Sequence, residues 1–137
     1  MHTHAPLDEY IMPHRGGPGS FEFRRSATHH HRGIDLEAPV GAPWRAIEAG
    51  VVEHAHNGPA RGFAGYGRVV VLKLDSGLRA LYAHGSAVDV ARGQRVAAGE
   101  QLGRVGRSQF RGGDPLDENR RMGAHLHFEL SRHTYPQ

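Results

Sequence analysis

The sequence predicts a mainly β fold: a single domain of antiparallel sheets forming a groove, with long loops and little helix. Three observations lead there. Apolar and polar residues alternate with a period of two in short runs such as His125 to Leu130, and no long helical period is present. Gly 19 and Pro 8, beside a hydrophobic share of 38%, suit short strands joined by many turns better than a helical bundle. At 137 residues the chain can build one core and is too short for two good ones.

Composition narrows the function. There is no cysteine, so neither a disulfide nor a thiolate ligand is available, and any metal must be held by His, Asp or Glu. The 12 histidines are a large supply for that purpose. Seventeen basic residues against 14 acidic give a formal charge of +3, which suits polyanionic partners such as nucleic acid, anionic lipid or an anionic cell wall. The arginines are scattered and not interleaved with aromatics, so no nucleic-acid partner is expected. No stretch approaches 18 apolar residues, so no membrane span is expected. Met1 to Pro18 lacks the apolar core of a secretory signal. The chain is therefore expected to be made in the cytoplasm and to leave by another route, or to be trimmed from something larger.

In chain order, residues 1–20 read as an irregular N-terminal arm that wraps the domain, with Pro6, Pro13, Pro18 and Gly16-Gly17 breaking any regular element. His2, His4 and His14 there read as solvated. Residues 21–137 then form the domain. In Ser26 to Pro39, His31 and Asp35 stand four apart. Flanking Gly33 and Pro39 argue against a helix, so a bent loop entering a strand must bring the two together. Imidazole plus carboxylate is a zinc-type ligand pair, although the run His29-His30-His31 leaves open which histidine binds.

Gly41-Ala42-Pro43 reads as a turn, Trp44 to Ile47 as a short strand and Val51 to His54 as another. His54-Ala55-His56 is an H-x-H pattern that runs straight into Asn57-Gly58-Pro59, and so reads as loop or rim. Arg68 to Leu74 is the strongest strand, Asp75-Ser76-Gly77 its hairpin turn, and Leu78 to Tyr82 the return. His84 falls at the exit of that hairpin beside Gly85. Gly93 to Val96 and Gln101 to Gly106 read as short strands. Arg107 to Met122 is a long polar loop, expected to rim the groove and tune substrate choice.

That loop delivers the chain into Gly123 to Leu130. Leu126, Phe128 and Leu130 share one face; His125, His127 and Glu129 share the other. Two histidines on one face lie about 7 Å apart at strand rise. One can bind a metal at roughly 2.0–2.1 Å, with the other within reach of whatever that metal binds next. Glu129 continues the face and can orient an imidazole from behind. H-x-H alone is weak evidence, and a surface strand with two solvated histidines is its more ordinary reading.

Taken together, these segments resemble the lysostaphin-type zinc metallo-endopeptidases, which cut peptidoglycan peptides. The resemblance runs from about Phe21 to Leu130. It rests on His31-Arg32-Gly33-Ile34-Asp35, Ala38 to Pro43, Gly50-Val51-Val52, Gly65-Tyr66-Gly67, Leu81-Tyr82-Ala83-His84, Gly93 to Gly99 and His125-Leu126-His127-Phe128-Glu129. It implies antiparallel β-structure around a groove. It also implies Zn2+ as cofactor, with His31, Asp35 and His127 as zinc ligands and His84 and His125 as catalytic histidines. Peptidoglycan peptides are the implied partner, the bacterial cell wall the implied place of action, and a monomer is expected. Three protein ligands leave a position on zinc open, as in catalytic sites. The chain departs from the family pattern at Arg68, where Asn is usual, at Gly85, where Leu is usual, at Met122-Gly123 and in the length of the loop before His125.

Three other readings compete. The same fold can serve as a non-catalytic wall-binding or activator module. A structural zinc site would need four ligands and favours Cys. A basic nucleic-acid-binding domain comes last.

Overall fold

A computed structural model describes residues 3–8, 33–109 and 123–136. Its strands are β1 (Ile34–Glu37), β2 (Pro43–Arg45), β3 (Gly50–His56), β4 (Arg68–Leu74), β5 (Arg79–Val88), β6 (Arg95–Val96), β7 (Gln101–Val105) and β8 (His125–Ser131), with one 3-10 turn at Ala64–Tyr66. All recorded strand pairings are antiparallel, in the order β1-β8-β5-β4-β3-β6, with β7 pairing both β5 and β2. The mainly β expectation is therefore met.

The centre of the sheet is buried on both faces. In β4, Val70 and Leu72 enter a larger core while Val69 and Val71 enter a smaller one. In β5, Ala80 and Tyr82 enter the larger core while Leu81 and Ala83 enter the smaller. This is why Arg68 to Leu74 reads as a nearly continuous apolar run rather than an alternating one. The buried Tyr82 phenol is satisfied: it donates to the Arg45 carbonyl at 2.9 Å and accepts from the Ile47 amide at 3.1 Å, tying β2 to β5.

β5 is the hub, and it changes partner along its length. Arg79 to Ala83 pair with β8, whereas Gly85 to Val88 pair with β7. Against β4, Arg68 sits opposite Gly85 but Val70 opposite Tyr82, so the register shifts between them. His84 lies at the shift with a left-handed φ of 66°. The strand was expected to end before His84; instead it bends there and continues.

Three further details refine the sequence reading. The short strand at Trp44 is Pro43–Arg45. His54 and His56 lie within β3, paired with Val71 and Val69, not in a loop. Their rings pack on Phe63 at centroid distances of 5.0 and 5.1 Å. Gly85, where the resemblance would favour Leu, has a packing cause: a side chain there would run into the Trp44 ring, whose nearest carbon lies 2.6 Å from an ideal Cβ.

The described part of the arm joins the core. The His4 amide donates to the Ile47 carbonyl at 2.8 Å and the Arg45 amide to the Pro6 carbonyl at 2.7 Å. Leu7 is 1% exposed within the larger core, while His4 is exposed as expected. Residues 1–2, 9–32, 110–122 and 137 lie outside the described residues. So do the expectations that rest on them: His2, His14, the run His29-His30-His31 with its ligand His31, and most of the Arg107 to Met122 rim.

Leu7 fixes an otherwise irregular segment. Leu7→Ala should destabilise the protein by about 2–5 kcal/mol in urea unfolding, as buried Leu→Ala changes do. A loss under about 0.5 kcal/mol would show that the arm contributes nothing to the core.

Candidate active site

Strand register places the polar groups. β1 and β8 set Asp35 directly opposite His127, and β8 and β5 set His127 opposite Ala83. Directly opposed residues share a face, so one row of the sheet reads Asp35, His127, Ala83. His125 occupies the next rung on that face, opposite Glu37.

His127 is held between two carboxylates. Its Nδ1 lies 2.8 Å from Asp35 Oδ1 and its Nε2 2.8 Å from Glu129 Oε2. Burial disfavours the imidazolium, but the hydrogen bonds to Asp35 and Glu129 outweigh it and raise His127 to about 9. Glu129 is itself only 2% exposed. Burial pushes its carboxyl up, yet His127 and the tyrosine hydroxyls prevail and hold it below the usual carboxylate range. Tyr66 donates to Oε2 at 2.9 Å and Tyr135 to Oε1 at 2.7 Å. Tyr66 also stacks on the His127 ring at 6.1 Å between centroids. The role foreseen for Glu129, orienting an imidazole from behind, matches this geometry.

His125 and His84 share a pattern. His125 Nδ1 lies 2.8 Å from the Gly123 carbonyl, and His84 Nδ1 lies 2.8 Å from the Ser108 carbonyl. A carbonyl can only accept, so each Nδ1 carries a proton, and in the neutral ring of His84 this leaves the lone pair on Nε2. His125 Nε2 stands 3.7 Å from Asp35 Oδ1, and the His84 and His125 rings are 5.1 Å apart. Burial holds His84 down at about 4, so its imidazole is neutral at ordinary pH.

Alternation along a strand would send His84 with Tyr82 into the larger core. The left-handed residue at the bulge turns it instead to the side of Ala83 and His127. There a cavity of about 590 Å³ is lined by Asp35, His84, His125 and His127. Gly62, Gly65, Tyr66 and Gln109 complete its walls. Four of the five residues singled out from the sequence thus meet in one cavity, and the fifth, His31, lies outside the described residues.

Sequence reasoning missed the supports. Tyr66 entered only as part of Gly-Tyr-Gly, and Tyr135 and Ser108 not at all. No local pattern marks a hydroxyl whose partner is 63 positions away, as for Tyr66 and Glu129.

Residues 29–137 match Peptidase family M23, and the chain belongs to that family. It is 37% identical over 106 residues to the DD-carboxypeptidase/endopeptidase Mpg of Neisseria meningitidis, covering 77% of this chain and 21% of that protein. The chain thus spans about a fifth of the length of that relative. A zinc containing peptidase from Vibrio cholerae superposes with a TM-score of 0.67 at 25% identity, over 93% of this chain and 36% of that one. The catalytic domain of lysostaphin from Staphylococcus simulans superposes with a TM-score of 0.63 at 25% identity, over 88% and 79% respectively.

The raised His127 value carries a sign. Its stabilising contribution is complete below the unfolded value of 6.5 and is lost as pH rises through about 9. In chelator, thermal or urea unfolding should show stability falling across that window by on the order of 3 kcal/mol. His127→Gln should flatten the profile. An equally steep fall in that variant would place its origin elsewhere.

Proposed function

We propose that this chain is a zinc-dependent endopeptidase that hydrolyses peptide bonds in peptidoglycan stem peptides or cross-bridges, acting at the bacterial cell wall. The observation that carries the reading is the meeting of Asp35, His127, His84 and His125 in one cavity. We assign His31, Asp35 and His127 as zinc ligands and His84 and His125 as catalytic residues. The donor set fits zinc: an imidazole nitrogen and a carboxylate oxygen already converge, and the outer nitrogen of His127 is held by a buried carboxylate. When bound, zinc supplies Lewis acidity, which polarises a peptide carbonyl and makes hydroxide accessible near neutral pH.

The chain's own residues do the rest. Glu129 keeps the proton on His127 Nε2, so that Nδ1 is the nitrogen directed at the ligand position beside Asp35. His84 presents an Nε2 lone pair, and His125 holds its Nε2 3.7 Å from Asp35 in the same cavity, so the two rings are placed to take a proton from attacking water and return it to the leaving amine or the oxyanion. Tyr66 walls the site and stacks on the His127 ring. In this reading residues 1–20 are the arm, residues 21–137 the peptidase domain, and the Arg107 to Met122 loop one rim of the groove.

Purified peptidoglycan tests the reading, with released peptides followed by mass spectrometry in the presence and absence of chelator. The wild type should release peptides and chelator should stop it. His31→Ala, Asp35→Ala and His127→Ala should lose zinc. His84→Ala and His125→Ala should keep zinc and the fold yet lose at least about 10²-fold in turnover, with KM little changed. Wall binding without chelator-sensitive release by the wild type would instead identify a non-catalytic wall-binding or activator module.

A further inference from the structure

We infer that Ser108 is a positioning residue for His84: it clamps the bulge on which His84 sits and fixes the ring with its proton on Nδ1 and its Nε2 lone pair toward the groove. The inference rests on the catalytic role proposed for His84, and deepens it.

Ser108 is fully buried, with 0% exposure, and does not line the cavity. It nevertheless makes three contacts at one spot. Its hydroxyl donates to the Gly85 carbonyl at 2.6 Å and accepts from the Arg68 amide at 2.9 Å. Its own carbonyl accepts from His84 Nδ1 at 2.8 Å. Arg68 and Gly85 are register partners across β4 and β5, just where the ladder is interrupted. The hydroxyl therefore bridges the two strands at the break that re-aims His84.

The seat is shaped from the other side by Gly67. Its φ is 65°, and a Cβ there would collide with both the carbonyl and the hydroxyl of Ser108. The carbonyl is thus held in place by two side-chain hydrogen bonds and by a backbone that approaches without a side chain. A carbonyl so fixed accepts only, which selects one of the two neutral tautomers of His84. Removing the hydroxyl leaves the carbonyl in the chain but frees its position, and small displacements of a catalytic group are costly.

The test is side-chain nitrogen NMR of the 15N-labelled, zinc-loaded full chain, with His84 assigned by loss of its signals in His84→Gln. In the wild type, His84 should show the Nδ1–H tautomer. An Nε2–H tautomer there would overturn the inference without recourse to any variant. In Ser108→Ala, His84 should move toward a mixture of tautomers while zinc content is unchanged. Its kcat on peptidoglycan should fall about ten- to a hundredfold with KM within about twofold. A variant that loses melting temperature but keeps kcat and the wild-type tautomer would show a merely structural serine and also overturn the inference. If the wild type released no peptides while the tautomer behaved as expected, the enzyme reading would fall and the clamp would stand.

Discussion

The antiparallel register that sets Asp35 against His127 and His127 against Ala83 is the constraint on which the rest depends. The same register sets Leu36 against Leu126 and Tyr82 against Phe128 on the other face. Leu36, Leu126 and Tyr82 are at most 1% exposed, and the Tyr82 and Phe128 rings meet edge to face at 5.2 Å. A slip of one residue would turn Leu126 and Phe128 toward the groove and His125 and His127 into the core. Apolar burial of roughly 1.5–3 kcal/mol per large side chain opposes that slip. The position of a polar site is thus enforced by hydrophobic packing that never touches it.

Register brings the groups together; the buried carboxylate of Glu129 holds them still. A carboxylate at 2% exposure is costly unless fully partnered. Here each oxygen receives a tyrosine hydroxyl, and one also receives the imidazole. Those hydroxyls come from the turn at Ala64–Tyr66 and from the C-terminal segment at Tyr135, so both are pinned to the site by one charge. Phe63, beside Tyr66, belongs to the smaller core with Tyr135, which fixes the same two segments by apolar contact. Polar and apolar interactions agree on one arrangement, which is the condition for a rigid site.

Much of this was legible in the sequence because its signals are periodic or local. The alternation in His125 to Leu130 marks the two faces of β8, and the apolar run Arg68 to Leu74 is β4 from end to end. Asp35, His84, His125 and His127 were each found from their neighbours, and the structure gathers them in one cavity. What was not legible depends on distance in the chain. His54-Ala55-His56 reads as loop or rim because Asn57-Gly58-Pro59 follows at once; pairing with β4 overrides that turn signal. Leu7 sits among Pro6 and polar residues, and its place in the larger core comes with an antiparallel bridge to Trp44, far along the chain.

His84 is where the two kinds of reasoning part. Tyr82-Ala83-His84-Gly85 reads as the end of a strand because histidine followed by glycine breaks the pattern. The break is real, but it is a change of partner within β5, from β8 to β7, and not an end. A regular strand cannot put both Ala83 and His84 on the groove side, since successive side chains point to opposite faces. One residue must leave the β region, and a non-glycine residue in the left-handed region is held there only by surroundings that over-determine it. Those surroundings are present: Gly85 receives the Trp44 ring, and Ser108 spans the break. The local rule of the strand is broken at the one residue whose side chain the groove requires, as functional sites are expected to break such rules.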